Sequence, residues 1–167
     1  IFIWVVFNGF FSVRFFYFVL GGAHSSNVSE QFDFSLLVFS TVLIAAAGNI
    51  INDYFDVRAD RVNRPDRLII TKHMKRRWAI ISHWILNLIA FSIALYLSMR
   101  YKTLWYVFIH LLTINSLWFY SSYFKRKPLI GNFLIAGLTA LVPILCGIHF
   151  YLQIDFPTQH QLTHPAV

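Results

Sequence analysis

Five apolar runs, each long enough to cross a bilayer, constrain this chain more than any other feature. A spanning helix needs about 20 mostly apolar residues. The runs cover 1–20, about 34–51, 78–99, 103–123 and 129–151. They do not alternate apolar with polar positions as strands of a membrane barrel do. They therefore predict an all-α, polytopic transmembrane helix bundle, with Pro143 as a kink in the last run. The charge supply agrees. Only 13% of residues are charged, against roughly 25% in a soluble domain. A hydrophobic share of 57% excludes disorder, and the single cysteine, Cys146, excludes a disulfide scaffold. The run 1–20 has no basic leader and no small-residue cleavage site, and the chain begins at Ile1. The sequence is therefore expected to be part of a longer chain.

Basic residues set the expected orientation. Eight of the fourteen Lys and Arg lie between Arg58 and Arg77, and Lys125, Arg126 and Lys127 lie between the last two runs. If the spans alternate, these loops share one face, while the other carries only Arg100 and Lys102. The positive-inside rule predicts that the 53–77 and 124–128 loops are cytoplasmic, with the 21–33 loop and the tail after Tyr151 outside. Nucleic acid is not an expected partner. The bases sit in short loops beside apolar spans, where topology and anionic headgroups account for them. Arg14 lies within a span. His83 and His110 read as hydrogen-bonded packing residues, Cys146 as a small core residue, and His160 and His164 as tail residues without ligand spacing.

The acids are few and clustered. Asp53, Asp56, Asp60 and Asp66 are four of only seven. If the second helix continues past Ile51, Asn52 at zero puts Asp56, Asn49, Asp60 and Asp53 at about 40°, 60°, 80° and 100° around it. That is a ladder of oxygen donors on one helix face. Like charges at this spacing repel, more so beside a low-dielectric bilayer. Such a face asks for a cation, and hard oxygen donors without His or Cys suit Mg²⁺. Arg58, Arg61, Arg64 and Arg67 interleave with the acids and can pair with them or grip a diphosphate bidentately. An interfacial helix end with acids paired to arginines is the plainer reading. Pro65 should end or kink the helix.

The segment Asn52-Asp-Tyr-Phe-Asp56-Val-Arg-Ala-Asp60-Arg-Val-Asn-Arg-Pro-Asp-Arg67 resembles the first aspartate-rich motif of the UbiA-type intramembrane prenyltransferases. Tyr120-Ser-Ser-Tyr-Phe-Lys-Arg-Lys-Pro-Leu-Ile-Gly-Asn132 is similar to that family's Tyr/Lys segment between helices four and five. The wording of both lies nearest the geranylgeranylglycerol-phosphate geranylgeranyltransferase branch. The resemblance implies a nine-helix fold, of which about five helices lie in 1–167, and a second aspartate-rich motif. The one acid after Asp66 is Asp155, so the portion alone is expected to be inactive.

The implied reaction is Mg²⁺-dependent transfer of a prenyl group from a prenyl diphosphate to a lipid-type acceptor such as geranylgeranylglycerol phosphate. A quinone precursor or a haem is the alternative acceptor, and a non-catalytic membrane fragment or transporter subunit the alternative class. The resemblance marks Asn52, Asp56 and Asp60 as metal ligands, with Asp56 and Asp60 catalytic. Asp53, Arg61, Arg64, Arg67, Lys125 and Tyr120 are implied contacts of diphosphate or substrate. Asn49 and Asn132 orient ligands or serve helix packing equally well.

Overall fold

The computed structural model describes the backbone of residues 28–63, 70–71 and 74–163, with side chains through Gln153. The expected first span lies outside the described residues. Among the described residues, four α-helices follow one another: α1 (Val28–Asn63), α2 (Arg76–Arg100), α3 (Trp105–Ser122) and α4 (Pro128–Thr163). A single 3₁₀ turn, Phe124–Arg126, joins α3 to α4. Among the described residues there is no strand, only an isolated bridge between Ile70 and Met74. The architecture is an all-α bundle.

Each helix is longer or shorter than its apolar run for a physical reason. α1 has 36 residues, about 54 Å at 1.5 Å per residue, against a hydrocarbon core of about 30 Å. Backbone hydrogen bonding does not require apolar side chains, so the helix runs beyond the hydrocarbon at both ends. Its described part runs to Asn63, and Pro65 lies outside the described residues. α4 likewise continues unbroken through Pro143 and past 151. Segments Gln31–Val57, Arg76–Arg100 and Leu129–Gln153 are long and apolar enough to cross a membrane. The 18-residue α3 does not reach that hydropathy among the described residues, because His110, Asn115 and several hydroxyl residues dilute it.

Buried positions repeat at helical spacing. On α2 they are Ala79, His83, Asn87, Ala90, Ala94 and Leu97, with Ser98 beside them. On α1, Leu37, Ser40, Ile44, Ala47 and Ile51 form the matching stripe. Small residues in both stripes let the backbones approach closely, as helix association in lipid requires. α3 lies against both helices, and α4 packs on α3 and the 3₁₀ turn. A Cβ on Gly48 would meet Leu117 Cδ1 at 3.0 Å, which shows how closely α1 and α3 approach.

Polar side chains cross these interfaces. His83 Nδ1 lies 2.9 Å from the Ala47 carbonyl, and His110 Nε2 lies 2.9 Å from Ser40 Oγ. Interhelical bonds of this kind contribute only about 0.6 kcal/mol each on average, so they select a register more than they drive assembly.

One end of the bundle holds a buried ionic clasp. Asp33, expected in an outer loop, lies instead within α1 and is fully buried. Its Oδ2 accepts from Arg100 Nε at 2.6 Å and from the Tyr101 hydroxyl at 3.0 Å. Those donors neutralise the carboxylate and let the helix begin upstream of it. Beside them the Tyr106 hydroxyl lies 2.7 Å from His149 Nδ1. Burial, opposed by a Gln153 hydrogen bond and reinforced by Asp33, pushes the Tyr101 phenol up to about 12.

Candidate functional site

The acidic face lies at the other end. From Asp33 to Asp56 is 23 residues of continuous helix, about 35 Å along the axis, or roughly one bilayer core. The carbonyls of this stretch stay in the helix ladder, so the site is built from side chains. Asn52, Asp56 and Asp60 are half-buried and Asp53 is exposed. Beneath them Val57 is buried against Ile70 and Ala79, which fixes the entry of α2 beside the acidic turns.

Lys125 reaches this face from the 3₁₀ turn. Its Nζ donates to Asn52 Oδ1 at 3.0 Å and ion-pairs with Asp56 Oδ2. Two oxygens one helical turn apart thus converge on a single cation. That convergence tests the fit of a metal. The donors are hard, they share one face, and they already hold a positive charge between them. Three carboxylates along α1 supply more negative charge than one ammonium cancels. Among the described residues, however, no three His, Cys, Asp or Glu side chains group tightly enough to hold a metal alone. A bound Mg²⁺ would draw its remaining ligands from water and substrate phosphate, as that ion commonly does.

Gly131 positions the turn that carries Lys125. A Cβ there would meet the Phe124 carbonyl oxygen at 2.9 Å, so α4 comes this close only without a side chain. The ring of Tyr120 lies against the same spot, with Cε2 3.4 Å from that Cβ position. Tyr120 is half-buried there and makes no hydrogen bond to the carboxylates. Arg61 is exposed on the last turn of α1. Arg64 and Arg67 lie outside the described residues. Asn49 and Asn132 are exposed.

Several neighbours carry no signal in the sequence. Arg76 at the start of α2 stacks over the Tyr54 ring, 4.7 Å from its centroid. Phe55, next to Asp56, meets Trp118 edge-on at 5.8 Å, and Trp118 lies 5.9 Å from Trp84 and 5.4 Å from His83. An aromatic surface drawn from three helices therefore begins beside the acidic face. Only the packing of those helices could reveal it, since the residues are far apart in the chain.

The UbiA prenyltransferase family matches residues 3–158. The chain belongs to that family. Its UbiA-family relatives include a protein of Thermococcus gammatolerans named digeranylgeranylglyceryl phosphate synthase, 38% identical over 114 residues, or 68% of this chain and 40% of the relative. A protein of the same name from Methanothermobacter thermautotrophicus is 37% identical over 123 residues, 72% of this chain and 42% of that one. The UbiA-family chain also resembles a solved structure described as digeranylgeranylglyceryl phosphate synthase in membranes. The TM-score is 0.63 at 26% identity, over 75% of this chain and 42% of that one. The chain thus spans about two fifths of the length of these relatives. Family membership and three apolar helices of spanning length make it an integral membrane protein.

Proposed function

We propose that this chain forms the diphosphate-binding part of a Mg²⁺-dependent prenyltransferase acting on a glyceryl phosphate acceptor. The observation that carries the reading is the convergence of Asn52 Oδ1 and Asp56 Oδ2 on one cation at the mouth of an apolar helix. The names of the relatives favour a glyceryl phosphate acceptor over a quinone precursor or a haem. The excess of Lys and Arg at this end favours a cytoplasmic site.

The chemistry follows from charge. Diphosphate leaves an allylic carbon only when its negative charge is neutralised. Asn52, Asp56 and Asp60 are the residues that would hold Mg²⁺, with Asp53 beside them. When bound, the ion screens the leaving oxygens. Lys125, Arg61, Arg64 and Arg67 are positioned in sequence or space to bind the same oxygens, and fixed cations of this kind are worth most where water is excluded. As the carbon–oxygen bond breaks, its electron pair leaves with the diphosphate and the carbon becomes cationic. The acceptor hydroxyl then bonds to that carbon and releases its proton. The Phe55, Trp118 and Trp84 rings supply apolar surface for an isoprenoid and π-faces that favour a cation.

The test is Asp56→Ala in the full-length protein, assayed with labelled geranylgeranyl diphosphate and geranylgeranylglyceryl phosphate. Turnover should fall by at least about 10³-fold, since a group acting on transition-state charge is removed. Undiminished turnover at saturating Mg²⁺ would sink the site.

A further inference from the structure

We propose that Lys125 and the metal exchange at the oxygens of Asn52 and Asp56, so that prenyl diphosphate opens the metal site by drawing Lys125 away. This rests on the reading above and names how that site is regulated.

The geometry carries the argument. The ammonium of Lys125 is bound by Asn52 Oδ1 at 3.0 Å and by Asp56 Oδ2. Both oxygens belong to residues assigned to the metal. Mg²⁺ takes oxygen ligands at about 2.0–2.1 Å, and an ammonium needs about 2.8 Å. Two cations drawn to one pair of oxygens repel each other at this range, so each weakens the other's hold. Asp53 and Asp60 lie on the same face and add their charge to the pull on whichever cation is present.

The seat of Lys125 suits an exchange. The residue stands on a one-turn 3₁₀ helix between α3 and α4, and its side chain is about one third exposed. A four-carbon stem lets the ammonium swing without moving either helix. A diphosphate at the acidic face offers several anionic oxygens in place of one carboxylate. Once Lys125 turns to those oxygens, Asn52 and Asp56 are released to the metal. Each ligand then favours the other, and the coupling is reciprocal. Lys125 acts here as a positioning residue that keeps the metal site closed until substrate arrives.

Metal binding tests this without turnover. Free Mn²⁺ is followed by electron paramagnetic resonance in detergent-solubilised full-length protein, alone and with an unreactive prenyl thiodiphosphate. Wild type should bind Mn²⁺ more tightly when the thiodiphosphate is present. Lys125→Met and Lys125→Gln should bind Mn²⁺ alone more tightly than wild type, by a factor in the range of about 5 to 150 typical of coupled sites. The thiodiphosphate should then add correspondingly less. Lys125→Arg, which keeps a cation, should retain the wild-type coupling. A gain in affinity cannot come from a damaged fold. If Asp56→Asn loses Mn²⁺ but neither neutral variant gains it, the metal site stands and the exchange is overturned. If Asp56→Asn binds Mn²⁺ as wild type does, the metal assignment falls and the exchange falls with it.

Discussion

Gly131 shows how one missing atom shapes the site. Alanine in a helix interior is ordinarily favoured over glycine by about 1 kcal/mol, so Gly131→Ala should help α4 in isolation. Its Cβ would nevertheless press on the Phe124 carbonyl at 2.9 Å. That oxygen accepts the Lys127 N–H closing the 3₁₀ turn, so the turn must shift and Lys125 with it. A misplacement of about 1 Å costs up to about 10²-fold in rate. Gly131→Ala should therefore lose turnover by that order in a steady-state assay. Gly137→Ala, where a Cβ meets nothing within 4 Å, should leave turnover unchanged. The contrast also marks what is legible at this scale. Asn52 and Asp56 are one helical turn apart, so their shared face follows from local periodicity. Lys125 is 69 residues from Asp56, and no local rule brings them together. Only the resemblance placed Lys125 near the diphosphate, and although Gly131 lies in the segment that carries that resemblance, nothing in the sequence showed what its missing side chain makes room for.

At the scale of elements, hydropathy marks where lipid is and hydrogen bonding marks where helix is. The two differ most on α1, where the apolar run ends near Ile51 and the described helix runs to Asn63. The extra turns carry the acidic ladder, so the difference is where the proposed chemistry sits. The other end differs too. Asp33 looks like a loop residue because a lone carboxylate beside an apolar run normally stays in water. Its partners come from the end of α2, 67 and 68 residues on, and cannot be read locally. The clasp gives an asymmetric prediction. Arg100→Leu strands a carboxylate whose side chain is 1% exposed, a change that costs about 3–5 kcal/mol in buried pairs. Asp33→Leu removes that charge and also its Oδ1, which is buried without a hydrogen-bond partner. It leaves Arg100 free to reach water, so it should cost less. Thermal unfolding in detergent should rank wild type first, Asp33→Leu second and Arg100→Leu last. Adding Asp33→Leu to Arg100→Leu should recover part of the loss.

At the scale of the whole molecule, two polar assemblies about one bilayer apart cap an apolar bundle, and they differ in kind. The Asp33–Arg100 clasp is buried and internally paired, which suits a structural role. The Asn52–Asp56–Lys125 assembly is partly open and carries surplus negative charge, with Arg61, Arg76, Arg126 and Lys127 exposed on the elements that meet at this end, which suits a charged ligand. The bundle class was legible because a bilayer admits few architectures. Which residues face one another was not, because lipid-facing and helix-facing positions are equally apolar here: Phe108, Leu111 and Phe133 are exposed while Leu97 and Ile109 are buried. The proposed orientation rests on the contrast between the ends. Lys75, Arg76, Arg77, Lys125, Arg126 and Lys127 lie at the acidic end, and Arg100 and Lys102 at the other. The positive-inside rule then predicts Arg126 in the cytoplasm and Leu104, exposed in the α2–α3 bend, outside. With buried Cys146 replaced by alanine to leave no native thiol among 1–167, single cysteines report the side directly. A membrane-impermeant maleimide should label Leu104→Cys on intact cells and label Arg126→Cys only after permeabilisation. The opposite pattern would put the acidic face outside the cell, away from any cytoplasmic supply of prenyl diphosphate, and would reverse the proposed orientation.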